Sequence, residues 1–407
     1  MYSALVDRPD FRALDGAVDA SLERAQIPLL AALVEQSSCS REPDDVEAAF
    51  SILDAAALAT GLSIARSPDP TGVVAAHRVY ASPACTPASR ALALVGHIDT
   101  VFPRAMGFSG FRREGDVLRG PGVLDMKSGL SAMLFAYDAL RTTWPEGARD
   151  LPLRLVVVSD EEIGSPSSRA LFASLAPRTS AALVFEAGRE QDRIVTRRKG
   201  GGLYAIEARG VAAHAGNRYL DGTNAIVALS LVLPRIEALG DLARGTTVSV
   251  GLIEGGTAKN TVPERAIAHL DARYETLAEV ARLESAMRGL LADPFAGLDD
   301  AIAPARLRKA TFVLDGGVTR PPMEPTSETA ALLAAYATAA REVGLGADEA
   351  PLQGGGSDAN LLAALGVPCI DGLGPYGQHF HETREWCSLA SLAKRTRALA
   401  RFLANAV

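Results

Sequence analysis

LRLVVVSDEEIGS, residues 153–165, decides the fold. Its first half, Leu153 to Ser159, is a nearly unbroken apolar run, the pattern of a strand buried on both faces of a parallel sheet. Its second half sets three acids, Asp160, Glu161 and Glu162, at the strand end, just ahead of Ile163 and Gly164. Runs of charge ordinarily sit in solvent. This run is pinned to the C-terminal edge of a core strand, where open α/β sheets bind ligands, and its mutual repulsion calls for a cation.

The flanks alternate helix with strand. Phe11 to Glu35 and Asp45 to Thr60 carry apolar residues at helical spacing, with Gly61 as the stop. Val73 to Val79 and Ala91 to Val95 are β-rich, Asp125 to Trp144 is helical, and Leu183 to Glu186 is a short strand. That order predicts an α/β layer fold. The basic, glycine-rich TRRKGGG (196–202) then carries the chain out of the first lobe. From Gly201 to about Ala310 the pattern changes to amphipathic strands at Leu203–Ala208, Thr247–Ile253 and Ala266–Tyr274, with helical periodicity near Asn224–Leu239 and Leu277–Leu291. After Pro321 and Pro322 the first pattern resumes. The expected architecture is an α/β catalytic domain, residues 1–199 and 311–407, with a mostly parallel mixed sheet flanked by helices. Residues 200–310 form an inserted α+β domain, a small antiparallel sheet with two helices. A chain of 407 residues suits two domains.

Composition narrows the function classes. With 48% hydrophobic and 22% charged residues the chain is an ordinary globular one, neither disordered nor fibrous. Its net charge is −7 and its Lys and Arg residues are scattered, so there is no electrostatic footprint for nucleic acid. The longest apolar stretches, such as Leu229–Leu233, fall far short of a membrane span. The N-terminal segment carries Asp7, Arg8, Asp10 and Arg12 without the apolar core of a signal peptide, which predicts a cytoplasmic protein. Cys39, Cys85, Cys369 and Cys387 lie far apart with no CxxC pair and read as reduced, structural thiols.

Further segments place chemistry at strand ends. In LALVGHIDTVFP (92–103) the strand closes at Gly96 and presents His97, with Asp99 two residues on as a carboxylate able to orient a ligating imidazole. In GPGVLDMKSGL (120–130), Asp125 ends a glycine-rich loop and reads either as a helix N-cap or as a ligand. ALVFEAG (182–188) ends a strand at Glu186, and GQHFHETREW (377–386) supplies His379 and His381. Imidazoles and carboxylates together suit zinc, cobalt or manganese. Two histidines and three carboxylates exceed the needs of one tetrahedral ion. A two-metal site with a bridging carboxylate, its ions roughly 3.5 to 4 Å apart, uses them all.

At this point the chain resembles the two-zinc metallopeptidase family of glutamate carboxypeptidase, acetylornithine deacetylase, succinyl-diaminopimelate desuccinylase and aminoacylase. HIDTV, GVLDMKSG, DEEIGS, AHAG, GGGSDA and the final histidine follow in the family's order from Ala91 onward. The resemblance implies two divalent ions, zinc or else cobalt or manganese. Asp125 is then the bridge, His97 and Glu186 complete one ion, and Glu162 and His381 complete the other. Glu161 resembles the general base that takes a proton from the water between the ions and delivers it to the leaving nitrogen, and Asp99 orients His97. The family usually has Ser or Thr after its terminal ligand, where this chain has Glu382. With His381 as the ligand, Gly377 and Glu385 keep their usual positions, and His379 becomes a pocket or surface residue.

The inserted domain resembles the family's dimerisation or lid domain. His214, in GVAAHAGNR (210–218), looks like the histidine that reaches into the neighbouring subunit's site. Asn260 and Arg273, in GGTAKNTVPERAIAHLDAR (255–273), look like the substrate-binding pair, with Arg273 holding a free carboxylate bidentately. Gly355, Gly356 and Ser357 would line the pocket with backbone N–H donors. His77 and His269 sit in strand patterns and carry no catalytic role. The implied protein is a homodimeric, glutamate-carboxypeptidase-like hydrolase of N-acyl amino acids or dipeptides with a free carboxylate. A deacylase of the acetylornithine deacetylase or aminoacylase type is the alternative. A non-catalytic homologue would lack Glu161 or Asp125, and both are present.

Overall fold

The structure is a computed structural model that describes residues 10–86 and 88–406. Asp7 and Arg8 lie outside the described residues, while Asp10 caps the first helix, Phe11–Ser21, by accepting from the Arg12 N–H at 2.9 Å. The chain divides into two compact units. The first comprises Met1–Arg197, Pro325–Gln353 and Ser357–Val407, and the second Arg198–Glu324 with Gly354–Gly356.

The first unit is built on a six-stranded sheet in the order Ser63–Ser67, His77–Ala81, Leu153–Val158, Ala91–His97, Thr179–Val184, Cys369–Ile370. The last four run parallel and the first two are antiparallel, so the sheet is mixed and mostly parallel. Every residue of Leu153–Val158 and Ala91–His97 is buried, which explains their continuous apolar sequence. Leu94 and Leu155 of the sheet share one core with Leu134 of the helix Ser128–Thr143 and Leu399 of Leu389–Asn405. A smaller sheet, Gly377–Gln378, Trp386–Ser388, Val117–Arg119 and Arg112–Glu114, holds the turn that carries His379 and His381.

Two local expectations change. The strand foreseen at Val73–Val79 begins only at His77, because the Asp69 carboxylate accepts from the backbone N–H of Thr71, Val73 and Val74 and captures the donors a strand would need. The helix foreseen from Asp125 starts at Ser128, since Asp125 (φ −118°, ψ 94°) and Met126 are not helical. Asp125 is therefore no N-cap.

The second unit is a four-stranded antiparallel sheet in the order Thr247–Gly255, Arg265–Tyr274, Gly200–Arg209, Thr311–Arg320. Helices Ala225–Glu237 and Leu277–Ala292 cover one face, where Leu229 and Leu283 meet Ile206 and Leu270. Thr311–Arg320 was expected in the first domain. It pairs along Gly200–Arg209 instead, with Gly316 and Gly317 among its strand residues. At Gly316 (φ 89°) a Cβ would fall 2.2 Å from the Leu203 carbonyl oxygen, so the close approach of the two strands requires glycine. Among the described residues no helix is long and apolar enough to cross a membrane.

Candidate metal centre

Three strands of the first unit end at one edge and deliver their next residues there: His97 from Ala91–His97, Glu161 and Glu162 after Leu153–Val158, and Glu186 after Thr179–Val184. Two loops complete the cluster. Asp125 comes from the Gly120–Lys127 loop and His381 from the turn between Gly377–Gln378 and Trp386–Ser388. Asp125 stands in the middle. Its Oδ1 lies 3.3 Å from His97 Nε2, and its Oδ2 lies 3.3 Å from His381 Nε2. Glu186 Oε2 is 3.8 Å from His97 Nε2, and Glu162 Oε2 is 3.1 Å from His381 Nε2. His379 instead faces Glu382 at 3.5 Å.

Burial sharpens the electrostatics. Glu162 and Glu186 are each pushed up to about 7, chiefly by desolvation and then by repulsion from Asp125. Burial also works to raise Asp125, but hydrogen bonds from His381 and His97 win and hold it below the usual carboxylate range. Burial alone would lower His97, yet the carboxylates of Asp125, Asp99 and Glu186 hold it well above the usual imidazole value. His381, nearly half exposed, is raised to about 10 by Asp125 and Glu162. Three largely desolvated acids converging on two imidazoles form a donor set for a borderline-hard divalent cation, whose charge would offset theirs. The residues fit such an ion, and His97, Asp125 and Glu162 alone bring ligand atoms within 4.8 Å of one another.

A surrounding layer fixes these groups. His97 Nδ1 lies 2.9 Å from the Asp99 carbonyl oxygen and 3.4 Å from its Oδ1. The fully buried Asp99 carboxylate also accepts from the Glu161 N–H at 3.3 Å, the Glu162 N–H at 3.1 Å and the Ser40 hydroxyl at 2.6 Å. One carboxylate thus orients an imidazole and pins the acidic turn. Asp160, the first of the three acids, faces away, accepting from the Ser167 and Ser168 N–H groups at 2.7 and 3.0 Å. The Glu161 carboxylate stays close enough to Glu162 to add to its repulsion. Glu385, buried behind the loop, accepts from the Gly122, Leu124 and Asp125 N–H groups and is raised to about 7, mainly by burial. Ser40 lies 59 residues from Asp99 in sequence, and no local signal marks it.

The remaining candidates lie elsewhere. His214, Asn260, Arg273, Gly355 and Gly356 belong to the second unit. Within it, Thr261 pairs with His214 and the Ala215 N–H reaches the Asn260 carbonyl at 2.9 Å, so those two segments are neighbours. His214 Nδ1 accepts from the Gly216 and Asn217 N–H groups, both at 3.1 Å, which puts the ring proton on Nε2. Arg273 sits at the far end of Arg265–Tyr274, beside Gly201, and its Nε and Nη2 grip Asp271 at 2.8 Å each. Ser357 is not a free N–H donor as expected: its N–H is taken by Asn360 at 2.9 Å and its hydroxyl by Asp371 at 2.6 Å, because it caps the helix Asp358–Ala364. His77 accepts at Nδ1 from the Ser159 N–H at 3.3 Å, and His269 pairs with Glu254 at 3.2 Å.

The strand ends of a mixed, helix-flanked sheet gather acids and imidazoles around the central Asp125 carboxylate, a class of site suited to a divalent metal. The sequence profile of "Peptidase family M20/M25/M40" matches residues 93–405, and the chain belongs to that family and is a metallopeptidase. It is 26% identical over 407 residues to carboxypeptidase G2 of Pseudomonas sp. (strain RS-16), covering 98% of this chain and 93% of that one. Its fold is similar to that of aminopeptidase PepT from Bacillus cereus ATCC 10987, with a TM-score of 0.73, 21% identity, and 95% and 98% of the two chains covered. It is also similar to a Bacillus subtilis protein described as a dinuclear metal-binding peptidase, with a TM-score of 0.65, 14% identity, and 95% and 99% covered.

Proposed function

We propose that this metallopeptidase holds two divalent ions, zinc by preference, and hydrolyses an amide or peptide bond in an N-acyl amino acid or dipeptide that carries a free carboxylate. The observation that carries the proposal is the placement of Asp125, whose two oxygens each face a different imidazole at 3.3 Å. His97 and Glu186 would complete one ion, Glu162 and His381 the other. When bound, the ions supply Lewis acidity toward the carbonyl and make water easier to deprotonate. Glu161, next to Glu162 in the acidic turn, accepts the proton of the attacking water and returns it to the leaving nitrogen. Asp99 keeps His97 in the tautomer that presents Nε2.

Substrate recognition falls to the second unit. Arg273 keeps its Nη1 edge clear of the Asp271 pair, a geometry that supports a bidentate grip on a carboxylate. His214, proton on Nε2, is a donor suited to an oxyanion. Arg273 lies near the end of the ten-residue strand Arg265–Tyr274, whereas Asn260 lies before that strand begins, so the two sit toward opposite ends of it. That separation favours the two ends serving different subunits of a homodimer. The free outer edge of Thr247–Gly255, with Leu252 and Ile253 exposed, offers a surface for pairing. Gly355 and Gly356 are the pocket-lining candidates, and the Gly355 carbonyl accepts from Arg198 at 3.0 Å.

The similarity to carboxypeptidase G2 supports an acyl-glutamate or a related acyl amino acid as substrate. The test is a hydrolysis screen of N-acyl amino acids, dipeptides and their C-terminal amides, with zinc, cobalt or manganese added and amine release measured. Metal-dependent cleavage of the free acids but not of the amides is expected. Equal cleavage of both, or cleavage only of substrates with a free amino terminus, overturns the carboxylate reading.

A further inference from the structure

Glu385 is 1% exposed, and its carboxylate hydrogen-bonds to backbone N–H groups of one loop rather than to the side chains of the clustered donors. Its Oε1 accepts from the Leu124 N–H at 2.7 Å and the Asp125 N–H at 2.9 Å, and its Oε2 from the Gly122 N–H at 3.1 Å. Burying a carboxylate is costly unless donors surround it, and three backbone N–H groups do so here. The Asp125 and Met126 backbone is not helical, and the loop before Ser128 closes only some of its own N–H groups, Val123 onto Gly120 and Lys127 onto Gly122. Glu385 also follows His381 by four residues, in a turn closed by the Glu382 N–H to the His379 carbonyl and the Glu385 N–H to the Glu382 carbonyl, both at 3.0 Å. The strand that follows it, Trp386–Ser388, is clamped against Val117–Arg119.

We infer that Glu385 is a positioning residue of the metal centre, tying the Asp125 loop to the His381 turn so that Asp125 presents one oxygen to each imidazole. The inference rests on the reading of Asp125 and His381 as ligands given above. The side chain acts through the backbone: it fixes the Leu124 and Asp125 N–H groups, and hence the direction in which the Asp125 side chain leaves the chain. One carboxylate joins two ligand segments 260 residues apart, a coupling that neither segment makes alone. Glutamine in its place would keep one acceptor oxygen for Leu124 and Asp125 but turn an NH₂ toward the Gly122 N–H, donor against donor.

Cobalt(II) titration of the metal-stripped full chain, followed by calorimetry and by visible absorption, tests this. Glu385→Gln should lower the affinity for the weaker cobalt ion about 10- to 100-fold, the range for residues that orient metal ligands, and alter the absorption bands that report coordination geometry. Glu385→Asp, which keeps the charge and shortens the arm, should give a smaller loss and keeps the test alive if the glutamine variant does not fold. A folded variant with wild-type cobalt affinity and spectrum, whatever its melting temperature, overturns the inference. The wild-type titration is read first: uptake of fewer than two cobalt ions per chain removes the two-ion reading itself, and the inference with it.

Discussion

The acid–imidazole cluster and the Arg273–Asp271 pair are both arrangements of opposite charge, and they are built in opposite ways. In the cluster, His97 is 1% exposed, Glu162 5% and Asp99 fully buried, and each partner is held again from behind by Ser40, by backbone N–H groups or by Glu385. Arg273 and Asp271 are about two-fifths exposed and held only by each other. Buried charges must be paired or bound to a cation, whereas an exposed pair of this kind contributes little and exchanges partners readily. The first unit is therefore set up to hold ions rigidly. On the proposed reading, the second would trade Asp271 for a substrate carboxylate.

Substitutions in the two units should separate along that line. The largest effect is expected at Glu161→Gln, which should lower turnover by roughly 10³- to 10⁴-fold, near the upper end for a general base, while leaving two ions per chain by elemental analysis. Glu162→Gln should instead lose metal, and equal metal contents in the two variants would show that base and ligand are wrongly assigned within the acidic run. Next comes His214→Ala, for which a loss on the order of 100-fold in rate is expected, with metal content untouched. Mixing it with Glu161→Gln under verified subunit exchange should restore part of the activity, since one hybrid site regains both groups. A mixture that stays inactive would confine His214 to its own chain. The smallest effect is expected at Arg273→Ala, a rise in KM of about 10- to 100-fold for substrates with a free carboxylate, as for loss of a charged hydrogen-bonding group, and none for their amides. A fall in metal content there would erase the contrast between the units.

Much of the first unit was legible because its signals are local. Leu153–Val158 and Ala91–His97 are buried on both faces, so their apolar runs needed no tertiary context, and the acids and histidine after them had one edge to occupy. Which acids of 160–162 face the cluster was legible only through the resemblance, since the Ser167 and Ser168 N–H groups that turn Asp160 away are supplied by the fold. Asp125 read equally well as a helix cap because Glu385, which accepts from the N–H groups of its non-helical loop, lies at the other end of the chain. The fourth strand of the second unit was not foreseen, and its Gly316 is explained only by the close approach of the Leu203 carbonyl, a contact made in three dimensions. The preference for His381 over His379 came from the resemblance, through the positions of Gly377 and Glu385, and in the structure His381 is the one beside Asp125 and Glu162.

The central claim is that Asp125 bridges two ions. Crystals grown with zinc and measured at its absorption edge test it most directly. Two anomalous peaks are predicted, roughly 3.5 to 4 Å apart as in two-metal sites, one beside His97 and Glu186, the other beside His381 and Glu162, with the Asp125 carboxylate between them. A single peak at full zinc saturation, or a pair that Asp125 does not touch, would contradict the account.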